Sequence, residues 1–290
     1  MKLHRLGSFL NTLGESPLWD HRRSKLFWVD SLNCEIWHHD LSDGSFGTQQ
    51  VPEPVGALGL RANGQLIASL KSGLHAFDPE TGATEFLVDP EPDRPDNRLN
   101  DGRVGPDGCF WIGSHCDARR LPTAGLYKIG TDHSVTQIDD GLTIANGVAF
   151  APDGSRLYYA DTPANELYVR DRNPETGVLG AREVFHDFSN VPGRPDGAAV
   201  DTDGNYWSAF VRGGAIGCFS PGGNLLRKIE VPTTYPTMCA FGGKNLDTLY
   251  VTSTNHLIAH ENLPEDPHAG AVFVIEGLGA TGLKSHEFAG

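Results

Sequence analysis

The sequence predicts an all-β protein, a six-bladed β-propeller of four-stranded antiparallel blades that spans residues 1–290 as a single domain. One unit recurs six times, with equivalent positions at 15, 56, 100, 146, 196 and 238, and a period of about 40 to 50 residues is typical of propeller blades. Each unit contains short runs of aromatic and β-branched residues. No long window shows the 3.6-residue apolar periodicity of helices.

The second and third strands of each unit can be assigned from these runs, because they are short and bounded by turn residues. Second strands are predicted at residues 25–30, 65–70, 109–114, 156–161, 205–210 and 248–253. Third strands are predicted at residues 35–40, 73–78, 125–130, 166–171, 215–220 and 271–276. Turns such as DPETG and NPETG then lead to a fourth, more polar strand. The unit is therefore a meander of four strands.

Tight hairpin turns separate the first two strands in four units. They are predicted at Asn63-Gly64, Asp107-Gly108, Asp153-Gly154 and Asp203-Gly204, where glycine supplies a positive φ angle. A lone meander cannot bury both faces, whereas six arranged radially bury them against one another. An open β-helix would have much shorter units. Residues 2–6 are expected to close the ring against the last blade.

The composition limits the partners and the location. The net charge of -14 argues against nucleic acid and against an anionic membrane. No apolar run reaches the roughly 20 residues of a membrane span, and the start MKLHRLGSFL lacks the apolar core of a signal peptide. We expect a cytoplasmic protein, a monomer or a weak homo-oligomer. The five cysteines form no CxxC pair, which favours reduced, buried thiols.

One position of the repeat carries oxygen-bearing side chains in four of the six units. The residues there are Glu15, Gly56, Asn100, Asn146, Asp196 and Met238. Each begins an innermost strand, so in a closed ring the six surround the axis, and four oxygen-bearing groups around one point indicate a bound cation. Glu15, Asn146 and Asp196 form an oxygen-only set for one divalent ion: calcium, magnesium, manganese, iron(II) or zinc. The alternative is that Asn146-Gly147 and Asp196-Gly197 are merely turns.

Substrate-binding candidates lie beside this ring. Arg98 offers a fixed fork of donors, and the Asn100 amide both donates and accepts, as a polyhydroxylated ligand requires. His115 begins the enlarged loop 115–124, which with loop 254–270 and the incoming segments 89–98 and 187–195 can wall a pocket over the axis. Arg98 could instead pair with a carboxylate as part of the scaffold, and His115 could have a packing role.

Two other kinds of site are less well supported. The chain has no G-x-S-x-G motif, so a hydrolytic serine is not indicated. His260 and His268, eight residues apart in one loop, are weak zinc candidates.

With these residues identified, the chain resembles the regucalcin/gluconolactonase family, also called the senescence marker protein family. The resemblance runs nearly end to end and rests on GESPLW at 14–19, NRLNDG at 97–102, ANG at 145–147, RPDG at 194–197, FGGKNLDTLYVTS at 241–253 and the C-terminal tail from 269. The chain departs from many relatives, which have glycine where Ser16 stands, and its segment SHCDARRLPTAG differs from the lid that relatives often carry.

The resemblance implies a six-bladed propeller with one divalent metal held by Glu15, Asn146 and Asp196, substrate contacts from Arg98 and Asn100, and hydrolysis of sugar-acid lactones. We therefore expect a metal-dependent lactonase for an aldonolactone such as a gluconolactone, xylonolactone or pentonolactone, with Asp196 also acting as general base. The alternatives are a calcium-dependent phosphotriesterase or other ester hydrolase, and a non-enzymatic calcium-binding propeller.

Overall fold

The structure is a computed structural model that describes residues 1–117 and 121–290. These residues form twenty-five strands and one short helix. The N-terminal strand is β1 (Lys2–Leu6). Blade 1 consists of β2 (Gly14–Asp20), β3 (Lys25–Asp30), β4 (Glu35–Asp40) and β5 (Phe46–Gln50). Blade 2 consists of β6 (Val55–Arg61), β7 (Leu66–Leu70), β8 (Gly73–Phe77) and β9 (Thr84–Val88).

Blade 3 consists of β10 (Asn97–Val104), β11 (Phe110–Cys116), β12 (Ala124–Ile129) and β13 (Val135–Leu142). Blade 4 consists of β14 (Ala145–Phe150), β15 (Arg156–Asp161), β16 (Glu166–Asp171) and β17 (Glu183–Asp187). Blade 5 consists of β18 (Arg194–Val200), β19 (Tyr206–Val211), β20 (Ala215–Phe219) and β21 (Leu225–Glu230). Blade 6 contains β22 (Pro236–Gly242), β23 (Thr248–Ser253) and, after helix α1 (His256–Glu261), β24 (Val272–Glu276); strand β25 (Glu287–Phe288) ends the chain.

The described strands form six antiparallel blades in a ring, so the predicted six-bladed β-propeller is confirmed. The innermost strands are β2, β6, β10, β14, β18 and β22, and each lies against the next, with β22 back against β2. Strand β1 pairs with β24 from Lys2 opposite Glu276 to Leu6 opposite Val272, which confirms that the N-terminal segment completes the last blade. The described residues contain no helix that is long and apolar enough to cross a membrane.

The predicted strands agree closely with the observed ones. Residues 25–30, 156–161 and 248–253 match β3, β15 and β23, and the other second strands shift by one or two residues. One shift changes an interpretation, because β11 continues to Cys116 and His115 therefore lies within a strand rather than at the start of a loop. Two elements were not predicted: strand β25 and α1, a six-residue helix inside loop 254–270. Its sequence is too short to show helical periodicity.

The core consists of apolar layers between neighbouring blades. One buried cluster fills each of the six interfaces among the described residues, for example Phe27, Val29, Leu58 and Ala68 between blades 1 and 2. Trp28, Trp111 and Trp207 are among the largest fully buried side chains. Burial of such apolar area is the main favourable contribution to folding, so the ring is stabilised by blade-to-blade packing. The five cysteines, all within the described residues, form no disulfide bond.

Every innermost strand is irregular where it passes the axis. The pairing with the second strand shifts between Glu15 and Leu18, Val55 and Leu58, Leu99 and Gly102, Asn146 and Ala149, Pro195 and Ala198, and Pro236 and Met238. Such bulges turn side chains away from the regular alternation. The six repeat positions named above lie at or beside these bulges, which is how one position of the repeat comes to face a common axis.

The Ser16 departure has a structural explanation. Ser16 has φ 48°, a left-handed conformation that favours glycine. Its hydroxyl oxygen accepts a 2.8 Å hydrogen bond from the Leu58 amide of the next blade, which offsets part of the backbone cost. The predicted hairpin turns also hold, since Gly64, Gly108, Gly154 and Gly204 have positive φ angles from 70° to 95°.

Candidate functional site

A cavity of about 570 Å³ opens at the end of the ring where the innermost strands begin. All six residues that the sequence predicts for the site line this cavity, namely Glu15, Arg98, Asn100, His115, Asn146 and Asp196. They come from blades 1, 3, 4 and 5. The other walls include Leu32, Thr162, Arg194, Thr237 and one face of α1. The volume is in the range of small-molecule sites.

Two carboxylates of the cavity wall, Glu15 and Asp196, repel each other. Burial raises the pKa of Asp196 well above its usual value, and the charge of Asp101 raises it further. Burial likewise raises the pKa of Glu15, with added repulsion from Asp196 and Asp101 that Arg98 offsets only in part. Carboxylates without sufficient compensating charge are costly in a protein interior. A cation between Glu15 and Asp196 would relieve this repulsion.

Asn146 completes the predicted metal set. Its Nδ2 donates to Thr162 Oγ1 at 2.8 Å, and Thr162 Oγ1 donates to the Pro195 carbonyl at 2.7 Å. This chain fixes the amide, and the Asn146 oxygen accepts a 2.7 Å hydrogen bond from Asn100 Nδ2. An amide oxygen retains a second lone pair for a cation.

The residues fit a hard divalent ion. Two carboxylates and one amide are oxygen donors of the kind that such ions prefer. Within residues 1–117 and 121–290 there is no group of three His, Cys, Asp or Glu side chains that could hold a metal. The proposed set differs from such a group because its third member, Asn146, is an amide.

Asn100 connects blade 3 to the proposed metal ligand Asn146 of blade 4. Its Nδ2 donates to the Ala145 carbonyl at 2.9 Å as well as to Asn146. These two bonds occupy both hydrogens of the amide. Among the described residues the Asn100 oxygen has no hydrogen-bond donor, so it can accept one from a ligand hydroxyl.

Arg98 is held by its neighbours. Its Nε donates to Asp117 Oδ1 at 3.1 Å and its Nη1 to Ser31 Oγ at 3.5 Å. Burial opposes the charge of Asp117, but Arg98 outweighs it and lowers the pKa of that carboxyl. The pairing anticipated as an alternative for Arg98 is therefore present. Because the ion pair uses one edge of the guanidinium, the rest remains available to a ligand.

His115 and the loop after it are positioned by blade 3. His115 lies opposite Arg98 in the pairing of β10 with β11, and it bridges Ile144 of the neighbouring blade. Residues 118–120, which include Arg119 and Arg120 of the predicted lid, lie outside the described residues. Helix α1 forms the opposite wall and brings His260 to the cavity, whereas His268 lies in a separate depression beside Asp266.

Sequence reasoning missed three residues that shape the site. Burial raises the pKa of Asp101 to about 6, and its Oδ1 has no hydrogen-bond partner among the described residues. Arg194 and Arg212 line the cavity from blade 5. Asp101 directly follows Asn100, and Arg194 precedes Asp196 by two residues. Proximity to the ring positions was the available signal, but only the bulges determine which neighbours face the axis.

The other end of the ring is closed. A space of only about 70 Å³ remains there, beneath residues 283–286. We call residues 282–290 the C-terminal strap. Its strand β25 adds to blade 2 in parallel with β6, Phe288 is fully buried, and the Gly290 carbonyl accepts a hydrogen bond of 2.6 Å from Arg61 Nε. The larger space for a ligand is therefore at the end where the innermost strands begin, which we call the upper end.

Comparisons with known proteins agree with this architecture. Residues 13–255 match the family model described as SMP-30/Gluconolactonase/LRE-like region. The chain is 38% identical to 6-deoxy-6-sulfogluconolactonase from Pseudomonas putida, over 97% of this chain and 96% of that protein. It is 34% identical to L-arabinolactonase from Azospirillum brasilense, over 97% and 93%.

A solved structure is similar as well. The crystal structure of regucalcin, a calcium-binding protein from Agrobacterium tumefaciens strain C58, superposes with a TM-score of 0.92 at 28% identity, over 98% of this chain and 96% of that one. The agreement covers the whole ring and not one motif. The chain belongs to the SMP-30/gluconolactonase/LRE-like family.

Proposed function

We propose that this protein is a metal-dependent lactonase that hydrolyses a sugar-acid lactone to the open-chain aldonic acid. The observation that carries the proposal is the single cavity into which Glu15, Asn146 and Asp196 converge beside Arg98 and Asn100. Relatives similar over nearly the whole chain are lactonases by name, which supports lactone hydrolysis as the activity. Those two names contain different sugars, so we assign the substrate class and not one sugar.

The proposed cofactor is one divalent cation held by Glu15, Asn146 and Asp196. The mutual repulsion of the two carboxylates and the oxygen-only donor set support it. When bound, the ion supplies Lewis acidity for the lactone carbonyl. The calcium-binding regucalcin structure supports a divalent ion in this fold.

Asp196 is the proposed general base. It accepts a proton from water while the water oxygen bonds to the lactone carbonyl carbon. The ring carbon–oxygen bond then breaks, and Asp196 returns the proton to the departing ring oxygen, which becomes a hydroxyl group. Burial strengthens Asp196 as a base because it raises the pKa of that carboxyl.

The proposed substrate contacts come from blade 3. The Asn100 oxygen and the remaining Arg98 donors orient the sugar hydroxyl groups, and His115 lines the same wall. Orientation of a bound substrate lowers the entropic part of the activation barrier. These groups suit a neutral polyhydroxylated ligand better than a phosphotriester, and the lactonase relatives favour turnover over a purely calcium-binding role.

A lactone panel tests the proposal directly. Metal-free protein is reloaded with calcium, magnesium, manganese, iron(II) or zinc and mixed with gluconolactone, xylonolactone and pentonolactones, and acid release is followed with a pH indicator. We expect hydrolysis of at least one lactone above the spontaneous rate, and only with added metal. Absence of such hydrolysis under every condition, with the 6-sulfo and 6-phospho derivatives of gluconolactone included in the panel, would exclude the lactonase. Metal binding without turnover would then favour the calcium-binding alternative.

A further inference from the structure

Arg194 is a cationic side chain in the cavity wall that the proposed reaction does not use. It begins β18, pairs with Val211 of β19, and is half-buried. Among residues 1–117 and 121–290 it makes no hydrogen bond or ion pair through its guanidinium. A partly desolvated guanidinium without an anion is unusual, because its five donors normally find carboxylate or phosphate partners.

The other arginines of the cavity wall are already paired. Arg98 contacts Asp117 across 3.1 Å, and Arg212 pairs with Glu261 of α1. Arg212 directly follows Val211, the partner of Arg194, so both arginines lie at one corner of blade 5. Two guanidinium groups and one carboxylate leave this corner with an excess positive charge in a chain whose net charge is -14. We call Arg194, Arg212 and Glu261 the basic corner.

Arg194 is not the counter-charge of the axial carboxylates, although it precedes Asp196 by two residues. Burial and Asp101 raise the pKa of Asp196, and the Gly197 amide offsets part of that rise. Burial raises the pKa of Glu15, and Arg98 and the Ser16 amide offset part of that rise. Arg194 is not among the principal groups that shift either pKa. It lines the open cavity, and no carboxylate among the described residues pairs with it.

The basic corner and the sugar-binding wall belong to different blades, with blade 4 between them. Arg98 and Asn100 belong to blade 3, the proposed metal is on the axis, and Arg194 belongs to blade 5. A lactone whose carbonyl lies at the axis and whose hydroxyl groups meet blade 3 can extend its far end toward blade 5. The cavity volume of about 570 Å³ leaves room for a substituent there.

We propose that the basic corner is an anion subsite in which Arg194 binds a sulfonate, phosphate or carboxylate group at the end of the sugar lactone remote from the reacting carbonyl. The inference rests on the proposed lactonase function and narrows its substrate class to anionic aldonolactones. Arg194 donates a forked pair of charge-assisted hydrogen bonds, and the Arg212–Glu261 pair holds the adjacent positive charge in place.

The test compares gluconolactone with its 6-sulfo and 6-phospho derivatives, as kcat/KM for each with metal-loaded protein. We expect wild-type protein to prefer at least one anionic lactone, and its order of preference distinguishes the singly charged sulfonate from the more highly charged phosphate. In Arg194→Gln the ratio of anionic to neutral kcat/KM should fall about 10- to 100-fold. Arg194→Lys should retain part of the preference because it keeps the charge but not the fork.

Arg156→Gln is the matched control, since Arg156 lies on β15 with an exposed ion pair to Asp171 outside the cavity. It should leave the ratio unchanged. An unchanged ratio in Arg194→Gln, or no anionic preference in wild-type protein, overturns the subsite while leaving the lactonase intact.

Calorimetric binding of 6-phosphogluconate, with gluconate as the neutral-ended reference, makes the subsite testable without turnover. Loss of the 6-phosphogluconate preference in Arg194→Gln supports the subsite even if no lactone is hydrolysed. Equal affinity of wild-type protein and Arg194→Gln for 6-phosphogluconate excludes the subsite.

Discussion

The two ends of the propeller axis differ although the same six strands form both. At the upper end the first halves of the strands place Glu15, Asn100, Asn146 and Asp196 around a cavity of about 570 Å³. At the lower end the same strands present Leu18, Leu60, Val104 and Phe150, and the C-terminal strap leaves about 70 Å³. The ring thus has one open end that holds the proposed site and one end that the C-terminal strap narrows.

The difference shows that the acidic groups near the axis are gathered at one end of the ring. Burial and mutual repulsion raise the pKa of Glu15 and Asp196, so the charged forms of these carboxyls are disfavoured without a cation. Changes at the upper end should therefore alter activity and metal affinity, and changes at the lower end should alter stability alone.

The largest expected effect is that of Asp196→Ala. Loss of the proposed base and of one metal ligand should reduce kcat/KM by about 100- to 10,000-fold and weaken metal binding. Enzyme kinetics and metal titration calorimetry measure the two effects. Asp203→Ala, at an exposed turn of the same blade, is the control. Full activity in Asp196→Ala would show that the upper end works without this carboxylate.

At the lower end, Phe288→Ala should reduce the free energy of unfolding by about 3 to 5 kcal/mol, because it leaves a cavity where a fully buried ring packs between blades 2 and 3. Denaturant unfolding measures this loss. Phe86→Ala, at a side chain that is 56% exposed on blade 2, should cost far less. A large fall in kcat/KM of the folded Phe288→Ala protein would show that the lower end also affects activity.

The charge beneath the site should produce an unusual pH dependence. The folded protein raises the pKa of Asp101 from 3.8 to about 6, so it binds this proton more tightly than the unfolded chain does. The stability of metal-free protein should therefore fall as pH rises from about 4 to about 6, with a contribution on the order of 3 kcal/mol from this group. Chemical denaturation at several pH values measures it. Asp101→Asn should reduce the dependence of the unfolding free energy on pH. An unaltered dependence would show that other groups cause it.

The smallest expected effect separates substrate from metal at the upper end. Asn100→Ala removes one hydrogen-bonding group to the sugar and should raise KM about 5- to 30-fold. Metal affinity should fall less, because Thr162 still orients the Asn146 amide. Kinetics and calorimetry on the same preparation compare the two. A larger loss of metal affinity than of substrate affinity would show that Asn100 acts mainly in metal binding.

Much of the fold and the ring of site residues could be predicted from the chain. Strands 25–30, 156–161 and 248–253 were predicted without error, since their aromatic and β-branched runs end at clear turns. The strap was not predicted as a strand, because two residues of β25 carry no periodicity. The roles of Glu15, Asn146 and Asp196 stay predictions, although their side chains share one cavity.

The sequence by itself determined the repeat, the strand boundaries and the polar position that marks the axis, because these depend on local residue patterns and their spacing. Only the tertiary structure decided that Asp101 is buried without full hydrogen bonding, that Arg98 is paired with Asp117, and that Arg194 is not paired. The physical reason is that burial and charge pairing depend on how strands and loops pack, both within a blade, as for Arg98 and Asp117, and between blades. Asn100 and Asn146, 46 positions apart in the chain, come into contact only after neighbouring blades pack together.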